Sequence, residues 1–473
     1  MNLNRRKFIQ SSTLASMGLF FNAKAFATPF PSVRVSLEKR NFNSPIIEAT
    51  IERMKNKIKD PELAWLFENC FPNTLDTTVE FKMKGNRPDT FVITGDIHAM
   101  WLRDSTAQVT PYLSLIKEDK KLKQLIAGVI NRQSECILID PYANAFNDGA
   151  GKSEWLSDHT DMKPELHERK WELDSLCYTV RLAYNYWKIS NDTSVFDEKW
   201  LKAAQTIIAT CREQQRLNGR GKYKFGRTTS WSTDTVPGNG YGNVTKPNGL
   251  IHSIFRPSDD ATVYPFLIPS NLFAVVSFRQ IAEISTKVYK NAAFAKECND
   301  FANELEAAIK KYAIINHPKF GKIYAMEVDG FGNCLLQDDA NVPNLMSLPY
   351  LGAVKADDLI YQNTRRFILS DNNPYFFKGK AAEGVGSPHT LVNQIWHLSI
   401  IMRAMTSTND QEILQQLRFL KNTHANTGFM HESFDKDNAQ NFTRKWFAWA
   451  NTLFGEMILK IEKERPHLLN QTL

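Results

Sequence analysis

Past its N-terminal stretch the sequence has no second long uncharged apolar run, so nothing in the remaining chain reads as a membrane span. It has no Lys/Arg-rich block of the kind that follows a phosphate backbone, which removes the electrostatic case for nucleic-acid binding. It also lacks CxxC and CxxH pairs, HExxH, EF-hand spacing and a GxSxG elbow, and its histidines are dispersed. Metal catalysis, thiol redox chemistry and a serine-hydrolase site therefore have no signature here, and no metal or cofactor is expected. The six cysteines, Cys70, Cys136, Cys177, Cys211, Cys298 and Cys334, are scattered and read mostly as small core residues, with disulfides left open. Asp148-Gly149-Ala150-Gly151-Lys152-Ser153 ends like a phosphate loop, but Phe146 stands where the first glycine is required, which argues against a nucleotide.

What is present begins with an export signal. Arg5, Arg6 and Lys7 precede an apolar stretch over 14–21 that ends in Ala25-Phe26-Ala27, a small-residue cleavage pattern. The arginine pair followed by Lys7 and Phe8 points to the twin-arginine route, with a general secretory signal as the alternative. Residues 1–27 are read as the signal and 28–473 as a single catalytic domain, because no Pro/Gly/Ser-rich or acidic spacer divides the latter. Removing the signal lowers the formal charge from +7 by the four positive charges it carries, to +3, so the expected partner is neutral. The expected location is periplasmic or extracellular, and the mature chain is expected to act as a monomer or weak oligomer.

Helical periodicity dominates, over 46–58, 100–116, 122–139, 164–189, 196–214, 272–289, 292–312, 357–369, 390–405, 411–423 and 444–464. Asn291, Asn409-Asp410 and Ser387-Pro388 supply helix starts of the right chemistry. Strand signals are short, over 79–84 and 90–93, with a hairpin over 322–337 turning near Asp329-Gly330. The reading is all-α with short β-hairpin insertions. No repeat of roughly 20–50 residues marks a solenoid. About a dozen helices could instead form two concentric rings whose loops build a pocket at one end.

The loops carry the chemistry. Residues 94–105 read TGDIHAMWLRDS and gather Asp96, Trp101, Arg103 and Asp104; carboxylates and a guanidinium can grip sugar hydroxyls in pairs while an indole covers the C–H face. An ion pair at a helix start is the plainer reading of the same residues. Residues 255–260 read FRPSDD, where Asp259 or Asp260 can reach a reacting bond while the other caps a helix or binds Arg256. Residues 431–434 read HESF and place Glu432 beside His431; a solvated loop glutamate is its plain reading. Glycosidic hydrolysis needs one protonated carboxyl and one ionised one, and Asp259 and Glu432 are candidates for the two. Asp174 in WELDSLCY, Asn341 in DDANVP and His389 in EGVGSPH are further candidate contacts, against readings as helix, cap and structural residues.

In order and approximate spacing, TGDIHAMWLRDS, WELDSLCY, FRPSDD with Ile268-Pro269-Ser270-Asn271, DDANVP, EGVGSPH and TGFMHESF resemble the exo-α-mannosidases of glycoside hydrolase family 125, over residues 46–464. The resemblance implies an (α/α)6 toroid, release of non-reducing-end α-1,6-linked mannose from an α-mannoside oligosaccharide or glycan, no metal cofactor, and inversion. It implies Asp259 as general acid, preferred over Asp260, and Glu432 as general base. Asp96, Trp101, Arg103, Asp104, Asp174, Arg256, Asp260, Asn341, His389 and His431 are then expected to bind the terminal sugar. His98 stands where the family's stretch is expected to carry proline. Another toroid glycosidase, or a mannoside-binding protein without catalysis, are the alternatives.

Overall fold

A computed structural model describes residues 30–473; the expected export signal over 1–27 lies outside them. Residues Val33–Leu473 form one unit with thirteen α-helices and fifteen short strands among the described residues.

Two kinds of helix alternate along the chain. Ala292–Tyr312 represents the first: Asn291 accepts the Phe294 N–H, Phe294, Cys298, Phe301 and Leu305 are buried at helical spacing, and Lys310 and Lys311 lie in the last turn. Glu198–Gln214, capped by Asp197, and Asp410–Thr423, capped by Asn409, follow the same plan, whereas Lys120–Ile139, capped by Asp119, is buried without interruption over 125–134. The second kind is buried nearly all round. Every residue of Leu102–Val109 is buried, and Ile268–Lys287, His397–Met405 and Ala448–Glu464 come close.

The buried helices pack on one another. Leu173–Ser190 contacts both Leu102–Val109 and Ile268–Lys287, and Ala448–Glu464 contacts Leu102–Val109 and His397–Met405. The amphipathic helices cover them from outside, as Ala292–Tyr312 covers Ile268–Lys287 and Asp410–Thr423 covers His397–Met405. Where the alternation calls for another buried helix, residues 341–354 run as bends and turns. Side chains tie that stretch in: Tyr178 Oη donates to the Val342 carbonyl at 2.9 Å, Arg181 Nη2 to the Tyr350 carbonyl at 3.1 Å, and Tyr350 Oη to Glu456 at 3.2 Å. Burial pushes the Glu456 carboxyl up to about 7.

Three three-stranded sheets each lead into a buried helix. Met100–Trp101 runs into Leu102, Phe266–Leu267 into Ile268, and Gln394–Trp396 into His397. The sheets hold the loops at the N-terminal ends of these helices, where the site lies.

Several boundaries differ from the periodicity, each for a backbone reason. The helix expected over 100–116 is α-helical only over Leu102–Val109 and continues as a 3-10 turn over Thr110–Leu115, because Pro111 has no N–H to donate. The one expected over 164–189 starts at Leu173, since Leu166–Glu168 pairs instead with Ala145–Phe146. Ser387 does cap a turn, through the His389 N–H, but left-handed Leu391 and Asn393 end it and the helix begins at His397. Left-handed Arg444 likewise delays the last helix to Ala448. The hairpin turning at Asp329-Gly330 pairs only Glu327–Val328 with Cys334–Leu335; Gly321–Tyr324 pairs backwards with Ile314–His317. All six cysteines are free, and five are buried.

Candidate active site

One pocket collects residues from the N-terminal ends of the buried helices and the loops between them. Its wall includes Trp101, Arg103 and Asp104 from the start of one helix, Pro257, Ser258 and Asp259 from the FRPSDD loop, and Asn341 and His389. Trp396, Glu432, Arg444, Phe447 and Trp449 complete it, with Thr94 and Ile97 at the 94–105 stretch. Helix N-termini carry partial positive charge, so carboxylates gathered there are favoured.

Arg103 is the hub of the first side. Its Nη1 donates to Glu172 Oε2 at 2.6 Å and lies 3.7 Å from Asp174, its Nε is 3.3 Å from Asp104 Oδ2, and its Nη2 is 3.4 Å from Asp259 Oδ1. Four carboxylates around one buried guanidinium cannot all be equally compensated. Burial, partly offset by Arg103, pushes the Glu172 carboxyl well above its usual range, raises Asp104, and takes Asp174 up to about 6.

Asp259 sits at φ 66°, a left-handed conformation that aspartate tolerates better than most residues. Its backbone is pinned: its N–H donates to the Arg256 carbonyl at 2.9 Å, and Lys170 Nζ donates to its carbonyl at 2.8 Å. Lys170 is itself buried and donates at 2.8 Å to Asp234. Asn144 Nδ2 reaches Asp259 Oδ1 at 3.4 Å. The Asp259 side chain keeps a quarter of its surface exposed, toward the pocket, whereas Asp260 keeps 3%.

Glu432 opens into the pocket from the opposite side, just before strand Ser433–Asp435. Thr443 Oγ1 donates to its Oε2 at 2.9 Å, and Arg444 Nη1 stands 3.5 Å from its Oε1. Arg444 is gripped in turn by Asp96, whose Oδ1 and Oδ2 accept from Nε at 3.0 and 3.2 Å while Nη2 also donates to Oδ1.

Two indole N–H groups of the wall, Trp101 Nε1 and Trp449 Nε1, find no hydrogen-bond partner in the protein, while Arg103 Nε and Asp104 Oδ2 face only each other as an ion pair at 3.3 Å. Buried polar atoms are normally paired, and two unpaired donors in the wall of a concave site suit a ligand rich in hydroxyls. Among the described residues no group of three or more His, Cys, Asp or Glu side chains is arranged to hold a metal ion.

Of the expected sugar contacts, Trp101, Arg103, Asp104, Asn341 and His389 line the pocket, and Asp96, Asp174, Arg256, Asp260 and His431 do not. Asp96 binds Arg444, and Asp174 lies behind Arg103. Arg256 is tied to Glu327 at 2.6 Å, fastening the FRPSDD loop to strand Glu327–Val328. Asp260 accepts from Thr233 at 2.6 Å and pairs with His389 at 3.3 Å; against the burial that would raise it, these partners hold its carboxyl down to about 2. His431 stacks on Phe442 with ring centroids 3.8 Å apart, and burial lowers it to about 4. These residues were grouped with the pocket by adjacency, but successive side chains on a loop point different ways. Phe447 belongs to the tryptophan-rich stretch 446–451, WFAWAN, whose composition marks it as a possible part of the pocket; Arg444 and Trp396 line the pocket without having been singled out. Arg444 falls within the periodicity of the last helix, and only its nearness to WFAWAN could have flagged it.

A family model described as metal-independent alpha-mannosidase, glycoside hydrolase family 125, matches residues 60–459. The chain is 43% identical over 462 residues to the meiotically up-regulated gene 157 protein of Schizosaccharomyces pombe, covering 93% of this chain and 90% of that one. It is similar to the structure of a metal-independent α-mannosidase of Streptococcus pneumoniae, described as a non-productive complex with α-1,6-mannobiose, with 41% identity and a TM-score of 0.86 over 90% of this chain and all of that one. A bacterial glucoamylase complexed with acarbose shares the fold alone, with 12% identity and a TM-score of 0.51 over 79% of this chain and 51% of its own.

Proposed function

The chain belongs to the metal-independent α-mannosidases of glycoside hydrolase family 125, and from that premise we propose that it removes single α-1,6-linked mannose units from the non-reducing end of a glycan, with inversion. Asp259 is the general acid and Glu432 the general base. The observation that carries this reading is the meeting of these two carboxyl groups, far apart in sequence, in the walls of one pocket whose unpaired indole N–H groups suit a sugar. The α-1,6 preference is supported by the sugar described for the pneumococcal relative. The alternation of buried and covering helices supports an (α/α)6 toroid, with residues 341–354 standing in for one inner helix.

In this reading Glu432 takes a proton from a water whose oxygen attacks the anomeric carbon from the face opposite the leaving group. The bond from that carbon to the glycosidic oxygen breaks with its electron pair on the oxygen, which receives the proton of Asp259. Water ends on mannose, the proton lost by Asp259 ends on the released glycan, and the two carboxyl groups exchange charge states before the next turnover. Arg103 and Asp104 grip hydroxyls of the terminal sugar in the closed end of the pocket. The export signal over 1–27 supports work outside the cytoplasm, which fractionation of cells producing the full chain checks.

The test is incubation of the mature protein with α-1,6-, α-1,3- and α-1,2-linked mannobiose, with and without chelator. Release from the α-1,6 isomer is expected, unaffected by chelator, and reduced roughly 10²–10⁴-fold or more in Asp259→Ala and Glu432→Ala. A different preferred linkage redirects the specificity. Binding of mannose without any release leaves a binding protein.

A further inference from the structure

We propose that Oε1 is the atom of Glu432 that accepts the proton of the attacking water, and that Thr443 and Arg444 are positioning residues that reserve it for that purpose. The proposal rests on the assignment of Glu432 as general base.

The hydrogen bonds around Thr443 determine which oxygen is free. Thr443 Oγ1 accepts the Ser433 N–H at 3.2 Å and lies 2.7 Å from Ser433 Oγ. Either hydroxyl of that pair can be the donor; when Thr443 donates to the carboxylate, Ser433 donates to Thr443. A hydroxyl has two acceptor sites and one proton. Both acceptor sites of Thr443 are then used, and its proton goes to Glu432 Oε2 at 2.9 Å. A proton on that oxygen would require the Thr443 hydroxyl to give up its bond to Glu432 and turn its proton to Ser433 Oγ. Oε1 takes up a proton without that rearrangement.

Oε1 is also the oxygen that faces a cation. Arg444 Nη1 is 3.5 Å away, at the outer limit of a hydrogen bond, so it leaves room for a water at that oxygen. Arg444 holds that position through a left-handed backbone at φ 43°, its grip on Asp96, and the Phe447 ring 4.7 Å beneath its guanidinium. The other charged groups bearing on this corner are Asp104 from helix Leu102–Val109, which attracts Arg444, and Asp96 itself; His431 next in the chain is turned away against Phe442. Strand Asn438–Phe442 thus delivers two consecutive residues to the two oxygens of one carboxylate, a hydroxyl to Oε2 and a cation to Oε1.

The experiment compares Thr443→Val, Thr443→Ser, Arg444→Gln and Arg444→Lys with the unaltered mature protein on α-1,6-mannobiose across pH 4–9. Thr443→Val, nearly the same shape without the hydroxyl, is expected to lower kcat about 10-fold with KM within about twofold. The acidic limb of its kcat/KM profile should move to higher pH by roughly half a unit, and Thr443→Ser should restore both. Arg444→Gln is expected to move the same limb up by about one unit, and Arg444→Lys to bring most of it back. A folded Thr443→Val with unchanged kcat and limb overturns the assignment of Oε1, as does a loss that Thr443→Ser fails to restore while the limb stays fixed. If Thr443→Val does not fold, the Arg444 pair decides on the same limb. Unaltered protein that releases no mannose sinks the mannosidase reading itself, an outcome distinct from an active enzyme whose limbs do not move.

Discussion

Asp259 rests on a floor of buried charge, whereas Glu432 is held from the rim. Behind Asp259 lie Arg103 with Glu172, Asp174 and Asp104, and Lys170 with Asp234 and Glu168, all nearly removed from water. Behind Glu432 lie one threonine hydroxyl and one arginine, whose anchor Asp96 keeps a quarter of its side chain in solvent. Each buried ion must be compensated at several kcal/mol, so the first arrangement is stiff and costly to disturb. The second is screened and cheap to disturb. Asp259 is therefore backed by a buried charge network, whereas Glu432, though its own side chain is the more buried of the two, is held by two partners, of which Arg444 reaches solvent.

The largest effect that can break this contrast comes from Lys170→Met. It strips one of two cations from Glu168 and Asp234, Arg227 remaining on both, and the donor from the Asp259 carbonyl, and should cost roughly 1–3 kcal/mol of stability, seen as a fall in Tm of about 2 °C or more, together with a loss of activity above about 100-fold. An unchanged Tm would mean that the buried side is no stiffer than the rim. Asp96→Asn should do the reverse: kcat/KM falls about 3- to 10-fold as Arg444 loosens, while Tm stays within about 1 °C. Unfolding of that variant would show that the rim carries structural weight after all.

The smallest effect supplies a control away from both carboxylates. Glu456 has its folded-state value raised to about 7, chiefly by burial, from an ordinary one near 4.5. Between these values the unfolded chain loses the proton first, so stability falls as pH rises and the full penalty is present above about 7. Glu456→Gln removes it while leaving Tyr350 an acceptor. The variant's Tm relative to the unaltered protein should rise by roughly 1–2 °C on going from pH 5 to pH 8, measured by calorimetry, with no change in activity.

The fold was legible where one side of a helix faces water. Ala292–Tyr312 matches the residues expected from its Asn291 cap and its apolar stripe. Pro61–Cys70 was passed over because Leu63 through Phe67 are buried without interruption, so no polar face marks a period. Left-handed residues other than glycine misled the reading most: Leu391, Asn393 and Arg444 interrupt apparent helices without any compositional sign. In the site, the motifs led to Asp259, Glu432, Arg103 and Asp104, all on the pocket wall. Which neighbour points inward was not legible, because Asp260 and His431 differ from Asp259 and Glu432 only in side-chain direction. Arg444 was invisible because its role depends on a strand pairing far from FRPSDD and TGDIHAMWLRDS in the chain.

Helix Ala448–Glu464 packs against both Pro61–Cys70 and Leu102–Val109, and the pocket takes Phe447 and Trp449 from its start. A ribosome delivers this element after every other long helix, so a nascent chain holds the Asp259 side of the pocket long before the Glu432 side can close. Until then the apolar flank of Leu102–Val109 has no cover and no hydrolysis is available. Such long-range closure slows folding and leaves apolar surface uncovered until the last helix arrives.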